Sequence, residues 1–411
     1  MKRYWLLATL IPFCVLALGT YYVSGTGDQK PEYVLKTMKG LESDAAGLQI
    51  KVNMDGITTT VSTKGSESEV EQLSYLDRLD AESYYDDDLK RLVKEHRSFM
   101  RGKNDVNAFY EDDQVLAYVA TEAHNDVSKV QSNRLTISIM GKLDQETSSF
   151  HVLTDKKNDE YISIHDVQVK DQIMKVLVNR MRTDKYPQFY HVGYDMYTID
   201  LTSKSLLKSE QILAAETQSN EISTTTWYIA GNAQIGPSGY AIFDRSENKI
   251  IDKVESQTVK RNEGLVNREI RVYDIWNGQW RTLQSEPLHS FLMEDNSMGM
   301  SIQYANQELS LAAISENKDT HVMVINVAEN KVIRDVQLPL QAIQKEWGRV
   351  NYSVVEKDRL YLLLLMSGHH PKTSAAIVEL QTGNILYQGE VERKDQHSID
   401  YINANGIKVQ K

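Results

Sequence analysis

The chain has 411 residues, of which 41% are hydrophobic and 25% are charged, and a net charge of −11 at pH 7. These fractions are those of a folded globular protein and exclude a largely disordered chain. The acidic balance argues against a nucleic-acid partner, and the single cysteine, Cys14, excludes an internal disulfide and every CxxC-type metal, haem or redox motif.

The first segment, residues 1–24, is predicted to be a membrane anchor. After two basic residues, the 20-residue stretch Tyr4–Val23 carries no charge, and ~20 apolar residues are enough to span a bilayer as a helix. The nearest positive charge beyond it is Lys30, so the positive-inside rule predicts a cytoplasmic N-terminus and an extracytoplasmic main domain. The alternative is a signal peptide with Ala17–Gly19 as its cleavage site, which would make the protein secreted.

The net negative charge lies on the part of the chain that would leave the cytoplasm with either a membrane anchor or a signal peptide. Lys2 and Arg3 carry +2 of the total of −11, so the remainder carries −13. Such a surface is repelled by anionic lipid heads and by polyanions. An exported domain without cysteine behind this type of leader is typical of a bacterial cell-envelope protein.

Residues 25–103 are predicted to hold a linker, a strand pair and a helix. Gly47–Met54 and Ile57–Ser62 alternate apolar and polar residues around the tight-turn dipeptide Asp55-Gly56. An amphipathic helix follows, capped by Asp86–Asp88 and ended by Gly102. Its apolar face is predicted to contain Leu89, Leu92, Val93, His96, Phe99 and Met100, with His96 as a packed residue.

From about residue 104 to residue 411 the chain is predicted to consist of short strands with a repeated hairpin. Each copy has an apolar residue first, Asp, Asn or Glu second, a polar turn, and an apolar residue eighth. The second-position side chain can accept backbone N–H groups in the turn, and the two apolar ends lie on one buried face. The six copies are Leu143–Phe150, Ile199–Leu206, Phe243–Ile250, Tyr273–Trp280, Ile325–Val332 and Val378–Ile385.

The spacing of these copies predicts an all-β fold built as a β-propeller. One hairpin buries too little surface alone, and the average interval of about 47 residues matches the ~40–50 residues of a four-stranded blade. Residues 104–411 would then form six to seven blades. The interval between the copies at Phe243 and Tyr273 is too short for a whole blade, so one of them is an inner hairpin or one blade is reduced. The alternative fold is a tandem pair of β-sandwich or barrel domains.

The hairpin sequence resembles that of a known class of blades. Val378-Glu-Leu-Gln-Thr-Gly-Asn-Ile385, preceded by the apolar strand Leu360–Leu365, is similar to the outer hairpin of bacterial quinoprotein-like and YVTN-like propellers. The resemblance implies a fold for about three quarters of the chain and no particular activity. No copy has the Trp that follows the hairpin in quinoprotein blades, so the resemblance implies no quinone, and no other cofactor is expected.

Acidic and histidine clusters were the first candidates for chemistry. Asp86–Asp88 and Glu111–Asp113 offer oxygen ligands for Ca²⁺ but lack the spacing of a calcium loop, so we interpret them as a helix cap and a turn, and no metal site is predicted. His369 and His370 follow a very apolar strand and are candidates for ligand binding. Adjacent side chains point apart on a strand, and the alternative is an exposed rim loop.

Tyrosines form the remaining candidate site. Tyr190 and Tyr194 belong to a tyrosine-rich run, Tyr186–Tyr197, whose rings are suited to a carbohydrate or peptide site on a propeller face. The alternative is that they are half-buried strand residues. No sequence motif of a hydrolase, metalloprotease or nucleotide-binding enzyme is present.

The sequence therefore predicts a membrane-anchored, extracytoplasmic propeller that acts by binding, as a sensory, scaffolding or other interaction module with a protein partner in the envelope. The alternative function is an envelope hydrolase or lyase that acts on a carbohydrate or lactone in the central funnel. That alternative predicts acidic, basic or histidine residues converging from several blades, with perturbed pKa values.

Overall fold

The structure is a computed structural model in which nearly every regular element is a β-strand. It describes residues 32–54, 57–68, 87–121, 134–154, 160–183, 189–214, 222–229, 235–250, 262–293, 300–305, 307–314, 320–338, 347–366, 372–394 and 403–409. The described strands are numbered in chain order, and they form six antiparallel sheets.

Sheets 2 to 5 are meanders of four consecutive strands, sheet 6 is such a meander with β1 (Tyr33–Gly40) added as a fifth strand, and sheet 1 takes one of its four strands from the far end of the chain. In order of hydrogen-bonded neighbours, sheet 1 contains β25 (Asn403–Val409), β2 (Leu48–Met54), β3 (Ile57–Ser62) and β4 (Gly65–Ser68); sheet 2 contains β5 (Phe109–Glu111), β6 (Val115–Thr121), β7 (Arg134–Gly141) and β8 (Thr147–Leu153); sheet 3 contains β9 (Glu160–Lys170), β10 (Ile173–Thr183), β11 (Phe189–Asp200) and β12 (Ser205–Ala214); sheet 4 contains β13 (Ile222–Ile229), β14 (Tyr240–Ile250), β15 (Asn262–Asp274) and β16 (Gln279–Thr282); sheet 5 contains β17 (Met300–Ala305), β18 (Glu308–Ile314), β19 (Thr320–Asn326) and β20 (Lys331–Leu338); and sheet 6 contains β21 (Trp347–Glu356), β22 (Arg359–Met366), β23 (Thr373–Glu379), β24 (Ile385–Arg393) and β1 (Tyr33–Gly40).

The helices of the described residues are short. They are α1 (Asp87–Glu95), α2 (Glu286–Met293) and two 3-10 turns, Glu42–Ala45 and Val106–Ala108. No helix in this part of the chain is long and apolar enough to cross a membrane. The predicted anchor or signal peptide, residues 1–24, lies outside the described residues.

The two ends of the described chain are paired into neighbouring sheets. The C-terminal strand β25 pairs with β2 and supplies the first strand of sheet 1, while β1 pairs with β24 on the outside of sheet 6. The strand pair predicted at residues 47–62 is thus β2 and β3 of a sheet that also needs β25. The pair was predicted to lie ahead of the propeller, because a partner strand at the far end of the chain leaves no local signal.

Successive sheets pack face to face through separate hydrophobic clusters. Five clusters of buried side chains lie between sheets 2 and 3, 3 and 4, 4 and 5, 5 and 6, and 6 and 1. The first strands of neighbouring sheets also contact each other. The contacting pairs are β5 and β9, β13 and β17, β17 and β21, and β21 and β25. Six antiparallel sheets, each with at least four strands and packed face to face in the order 2, 3, 4, 5, 6 and 1, are a propeller-like all-β fold.

The repeated hairpin is confirmed in four of its six copies. In these copies the first residue pairs with the eighth across the two strands. The pairs are Ile199 with Leu206, Tyr273 with Trp280, Ile325 with Val332 and Val378 with Ile385. These four copies join the third and fourth strands of sheets 3 to 6. Asp200, Asp274 and Asn326 accept backbone N–H groups within these turns, as the pattern predicts.

Two copies differ from the prediction. Phe243–Ile250 is not a hairpin but lies inside the long strand β14, where charged residues pair across to β15 instead of forming a turn. In sheet 2 the hairpin is present, but Met140 pairs with Thr147 and Leu143 is 92% exposed at the turn. The short interval between the copies at Phe243 and Tyr273 arises because the first of them only resembles the hairpin pattern. Sheet 4 has all four strands and is not reduced.

Helix α1 is shorter than its apolar pattern predicted. It ends at Glu95, although Leu89 and Leu92 are buried as expected. After the helix, the carbonyl of His96 accepts the backbone N–H of Met100 in a turn. Gly102 follows with a left-handed φ of 71°. Phe99 and Met100 are buried in the cluster between sheets 2 and 3 as turn residues.

Candidate functional site

A group of polar side chains from sheets 3, 4 and 5 forms the candidate site. It is called the Asp166 site here and consists of His165, Asp166, Gln168, Tyr194, Tyr228, Ser238 and Tyr304.

A bulge in β9 turns the polar side chains of sheet 3 toward sheet 4. Leu177 pairs with Asp166 but Val178 pairs with Ile164, so His165 is an extra residue on β9. The alternation shifts by one residue at this point. Ile164 and Val167 both pack in the cluster between sheets 2 and 3, and Asp166 and Gln168 consequently face the other side.

Asp166 is a half-buried carboxylate held by its own strand. Its Oδ1 accepts a hydrogen bond of 2.9 Å from Gln168 Nε2. Burial raises the pKa of Asp166 to about 6, while the hydrogen bonds from Gln168 and from the backbone N–H of Val167 act in the opposite direction. The carboxylate is therefore mostly ionised at pH 7 and takes up a proton in mildly acidic solution.

The segment Ile235–Ser238, between β13 and β14, connects the site to two other sheets. Gln168 Oε1 accepts the backbone N–H of Ser238 at 2.6 Å. The carbonyl of Ile235 accepts the backbone N–H of Glu111, at the end of β5 in sheet 2, also at 2.6 Å. Ile235 itself is buried among the residues between sheets 2 and 3. This segment of sheet 4 therefore crosses to the ends of the first strands of sheets 2 and 3.

Three tyrosines complete the site. The Tyr194 hydroxyl accepts the backbone N–H of Tyr228 at 3.4 Å, and the His165 ring lies edge-on to both tyrosine rings, 5.7 and 5.5 Å from their centroids. Tyr304, from sheet 5, is hydrogen-bonded to Ser238. Burial raises the pKa of Tyr228 and of Tyr304, and the charge of Asp166 adds to both effects. The phenols therefore stay neutral at any physiological pH.

The arrangement is suited to holding a small polar molecule. It places one carboxylate, one amide and neutral phenol groups from three sheets close together, and half-buried Asp166 and Tyr228 keep some access to solvent. Such convergent polar groups on a mostly apolar support are typical of ligand sites. The hydrogen bonds to the Asp166 carboxylate come from the Gln168 amide and from the backbone N–H of Val167.

The residues that the sequence analysis singled out are only partly in this site. Tyr194 is there, but it is 3% exposed and packs between sheets 3 and 4 instead of lining an open face. Tyr190 lies in β11 with its backbone opposite Arg182, and His369 and His370 lie outside the described residues. A ligand role for these three residues stays a prediction.

Four residues of the site were not predicted from the sequence: Asp166, Gln168, Tyr228 and Tyr304. A signal was present in β9, because His165 and Asp166 interrupt the alternation of apolar residues from Ile162 to Val169. Two adjacent polar residues in such a strand indicate a bulge that redirects a side chain. The tyrosines carry no comparable signal, since each is an ordinary strand residue until neighbouring sheets bring them together.

A cluster around Glu111 has the composition of a metal site. Ligand atoms of Glu95, His96 and Glu111 lie within 4.8 Å of one another. Arg91 is hydrogen-bonded to both carboxylates, and the Lys142 Nζ lies 2.6 Å from Glu111 Oε1. Two cations already neutralise these carboxylates, so we interpret the cluster as an ion-pair network that fixes α1 on sheet 2. The turn predicted at Glu111–Asp113 is present, with Asp112 accepting two backbone N–H groups.

Comparison with known proteins identifies no family. No profile of a known protein family matches the chain, and no curated protein sequence matches it. Among solved structures, the Synechocystis apocarotenoid oxygenase is 11% identical over 72% of this chain and 62% of its own length, with a TM-score of 0.34. An ulvan lyase of polysaccharide lyase family PL25 is 9% identical over 70% and 84%, with a TM-score of 0.31.

A europium-containing methanol dehydrogenase is a third such structure, 9% identical over 67% of this chain and 52% of its own length, with a TM-score of 0.31. The chain thus spans about three fifths of the oxygenase and half of the dehydrogenase. Similarity this weak transfers no activity, and the fold described above rests on the sheets of this chain alone.

Proposed function

We propose that the chain is a binding module of the cell envelope that acts without catalysis. Residues 4–24 would anchor it in the membrane, and the propeller-like domain would lie outside the cytoplasm and present the Asp166 site to a small polar ligand. A protein partner in the envelope would read the bound state.

One observation carries the choice of binding over catalysis. The polar groups around Asp166 are engaged with one another through Gln168, Ser238 and Tyr304, and burial keeps the tyrosines protonated. Groups fixed in this way donate and accept hydrogen bonds with a preset geometry, which favours selective binding. Proton transfer would instead need a titratable side chain that is free to exchange a proton with the reacting atom of a substrate.

The test of ligand binding uses the full-length chain in detergent and a panel of monosaccharides, amino acids, sugar lactones and nucleosides. We expect at least one compound to raise the melting temperature of the wild type. Tyr304→Phe, which removes one hydroxyl, should abolish that shift, whereas Tyr361→Phe in sheet 6 should leave it unchanged. The compound should be recovered intact after incubation. The absence of any shift across the panel would contradict a ligand role for the site.

The envelope enzyme is the second candidate, and the pKa of Asp166 is the observation that favours it. A carboxyl group that titrates near pH 6 is in the range of a general acid or base at neutral pH. Mass spectrometry of the same incubations distinguishes the two functions. Conversion of a sugar or lactone by the wild type, with loss of turnover in Asp166→Asn, would replace the binding proposal by this one.

The location is tested separately. Mass spectrometry of the chain isolated from membranes should find an intact N-terminus, as an uncleaved anchor requires. A mature chain that begins just after Gly19 and appears in the culture medium would support cleavage and secretion instead.

A further inference from the structure

Sheet 4 presents an exposed tryptophan on the face opposite the Asp166 site. Trp227 lies on β13, next to Tyr228, and is 67% exposed. Neighbouring residues of a strand point to opposite faces, so Tyr228 faces sheet 3 while Trp227 faces the side of sheet 5. An indole ring that stays in solvent on the first strand of a sheet contributes little to the core and is available to contact a ligand.

An ion pair lies beside this tryptophan on the same face. Asp244 on β14 is the register partner of Trp227, which places their side chains side by side. Asp244 also receives two hydrogen bonds from Arg268 on β15, Nε to Oδ1 at 3.0 Å and Nη2 to Oδ2 at 2.6 Å. Both side chains are mostly buried, with 13% and 20% exposure. The pair is a rigid planar surface in which two of the five guanidinium N–H groups are used.

The face continues into a cleft of about 400 Å³ at the outer edge of sheet 4. The cleft exists because β16 ends at Thr282 and pairs with β15 only from Arg271 to Asp274, after which the chain turns into α2. Arg268 lines the cleft together with amide and hydroxyl side chains and with the apolar side chains of Leu283, Leu288 and Leu292. The amide and hydroxyl side chains are those of Asn267, Thr282, Gln284 and Ser285.

The chemistry of this face selects one class of ligand. Asp244 is paired with Arg268, Glu269 is paired with Arg245 and Arg271, and Glu286 adds a negative charge, so the face has no excess of positive charge that would favour an anion such as a phosphate. The amide and hydroxyl side chains disfavour a purely apolar ligand. An aromatic ring followed by a planar donor–acceptor pair and amide groups matches a saccharide, whose C–H face stacks on aromatic rings and whose vicinal hydroxyls both donate and accept hydrogen bonds.

We propose that the face formed by Trp227, Asp244 and Arg268 and the adjoining cleft binds an oligosaccharide. One sugar ring stacks on Trp227, its hydroxyls bond to the Asp244–Arg268 pair, and the next sugar unit enters the cleft. The distance from β13 to β15 is two strand spacings, about 10 Å, which is long enough for two sugar units. The site shares no residue with the Asp166 site and goes beyond the function proposed above.

The test is binding of the full-length chain to an array of neutral and acidic oligosaccharides. The chain is kept in a detergent without a sugar head group, since alkyl glycosides would compete. We expect the wild type to bind one glycan class, with Trp227→Ala reducing affinity by at least about tenfold and Asp244→Asn by about tenfold. Trp280→Ala is the matched control and should bind normally, because Trp280 packs on Phe243 and Tyr273 on the opposite face of sheet 4.

Two outcomes overturn the assignment. One is that the wild type binds no glycan of the array more strongly than the Trp227→Ala variant does. The other is glycan binding that survives Trp227→Ala with an unchanged melting temperature. Neither outcome affects the Asp166 site, because Tyr304→Phe reports on that site independently.

Discussion

Arg180 Nε lies 2.9 Å from Asp195 Oδ2 on neighbouring strands of sheet 3, and Asp195 is 1% exposed. This carboxylate is the least exposed charged side chain among the described residues. Burying two charges costs desolvation energy, and the structure keeps them only as a pair.

Removing one partner of this pair is expected to destabilise the fold strongly. Asp195→Ala leaves the Arg180 guanidinium in a mostly buried position, and the free energy of unfolding should fall by about 3–5 kcal/mol. Glu210→Ala, which breaks the exposed pair with Lys208, should cost under about 1 kcal/mol. Urea denaturation measures both. Equal effects of the two variants would contradict a special role for the buried pair.

Asp166 should make the stability of the domain pH-dependent. Because burial raises its pKa from 3.8 to about 6, the native state binds more protons than the unfolded state between these values. Its contribution is therefore complete below about pH 4 and is lost as the pH rises through 6. Asp166→Asn should be more stable than the wild type at pH 7.5, and this advantage should shrink at pH 4.5.

Urea denaturation at the two pH values measures the effect of Asp166→Asn. Asp113→Asn, which changes an exposed carboxylate of sheet 2, is the control. An advantage of Asp166→Asn that is the same at both pH values would show that Asp166 has an ordinary pKa.

Asp274 should stabilise its hairpin through its side-chain oxygens. It accepts the backbone N–H groups of Trp276 and Asn277 at 3.0 and 2.9 Å. Asp274→Ala removes both acceptors and is expected to lower the unfolding free energy by about 1–2 kcal/mol. Asp274→Asn keeps an acceptor oxygen and should retain most of that stability. If the two variants unfold at the same urea concentration, the turn does not depend on this acceptor.

The C-terminal strand should be required for folding of the whole domain. Deleting residues 403–411 removes β25, leaves the inner edge of β2 without its partner, and exposes Ile50 and Val52 from the cluster between sheets 6 and 1. We expect an aggregated product without a cooperative thermal transition, whereas deletion of residues 410–411 alone should be neutral. Size-exclusion chromatography and circular dichroism measure the outcome. A monomeric, cooperatively folding deletion product would contradict this role of β25.

The parts of the fold that sequence could predict are those encoded within a few residues. The turn at Asp274 is an example, because an apolar residue, an acceptor and a glycine at fixed offsets determine a hairpin without any distant partner. The helix at Leu89 was predicted for the same reason. Its end at Glu95 was misplaced, because Phe99 and Met100 have helical spacing but are buried as turn residues.

Long-range pairing explains most of what the sequence left open. Nothing near Leu48 indicates that its strand pairs with residues more than 350 positions away. The candidate site has the same property, since Asp166, Tyr228 and Tyr304 come from three sheets and meet only after those sheets pack. The polar residues after Asp244 were predicted to form a turn. They lie in a strand instead, and the partner of Asp244, Arg268, lies on the next strand and gives no local signal.

The position of β1 has a mechanical consequence. The Tyr33 backbone N–H is bonded to Ser66 Oγ in sheet 1, while the rest of β1 pairs along β24 in sheet 6. Tension applied through the residues that precede β1 therefore enters the domain at the junction of these two sheets. β25 lies at the other edge of the same two sheets, against β21 and β22, so a pull from the N-terminal side reaches the outer strands β24 and β4 first.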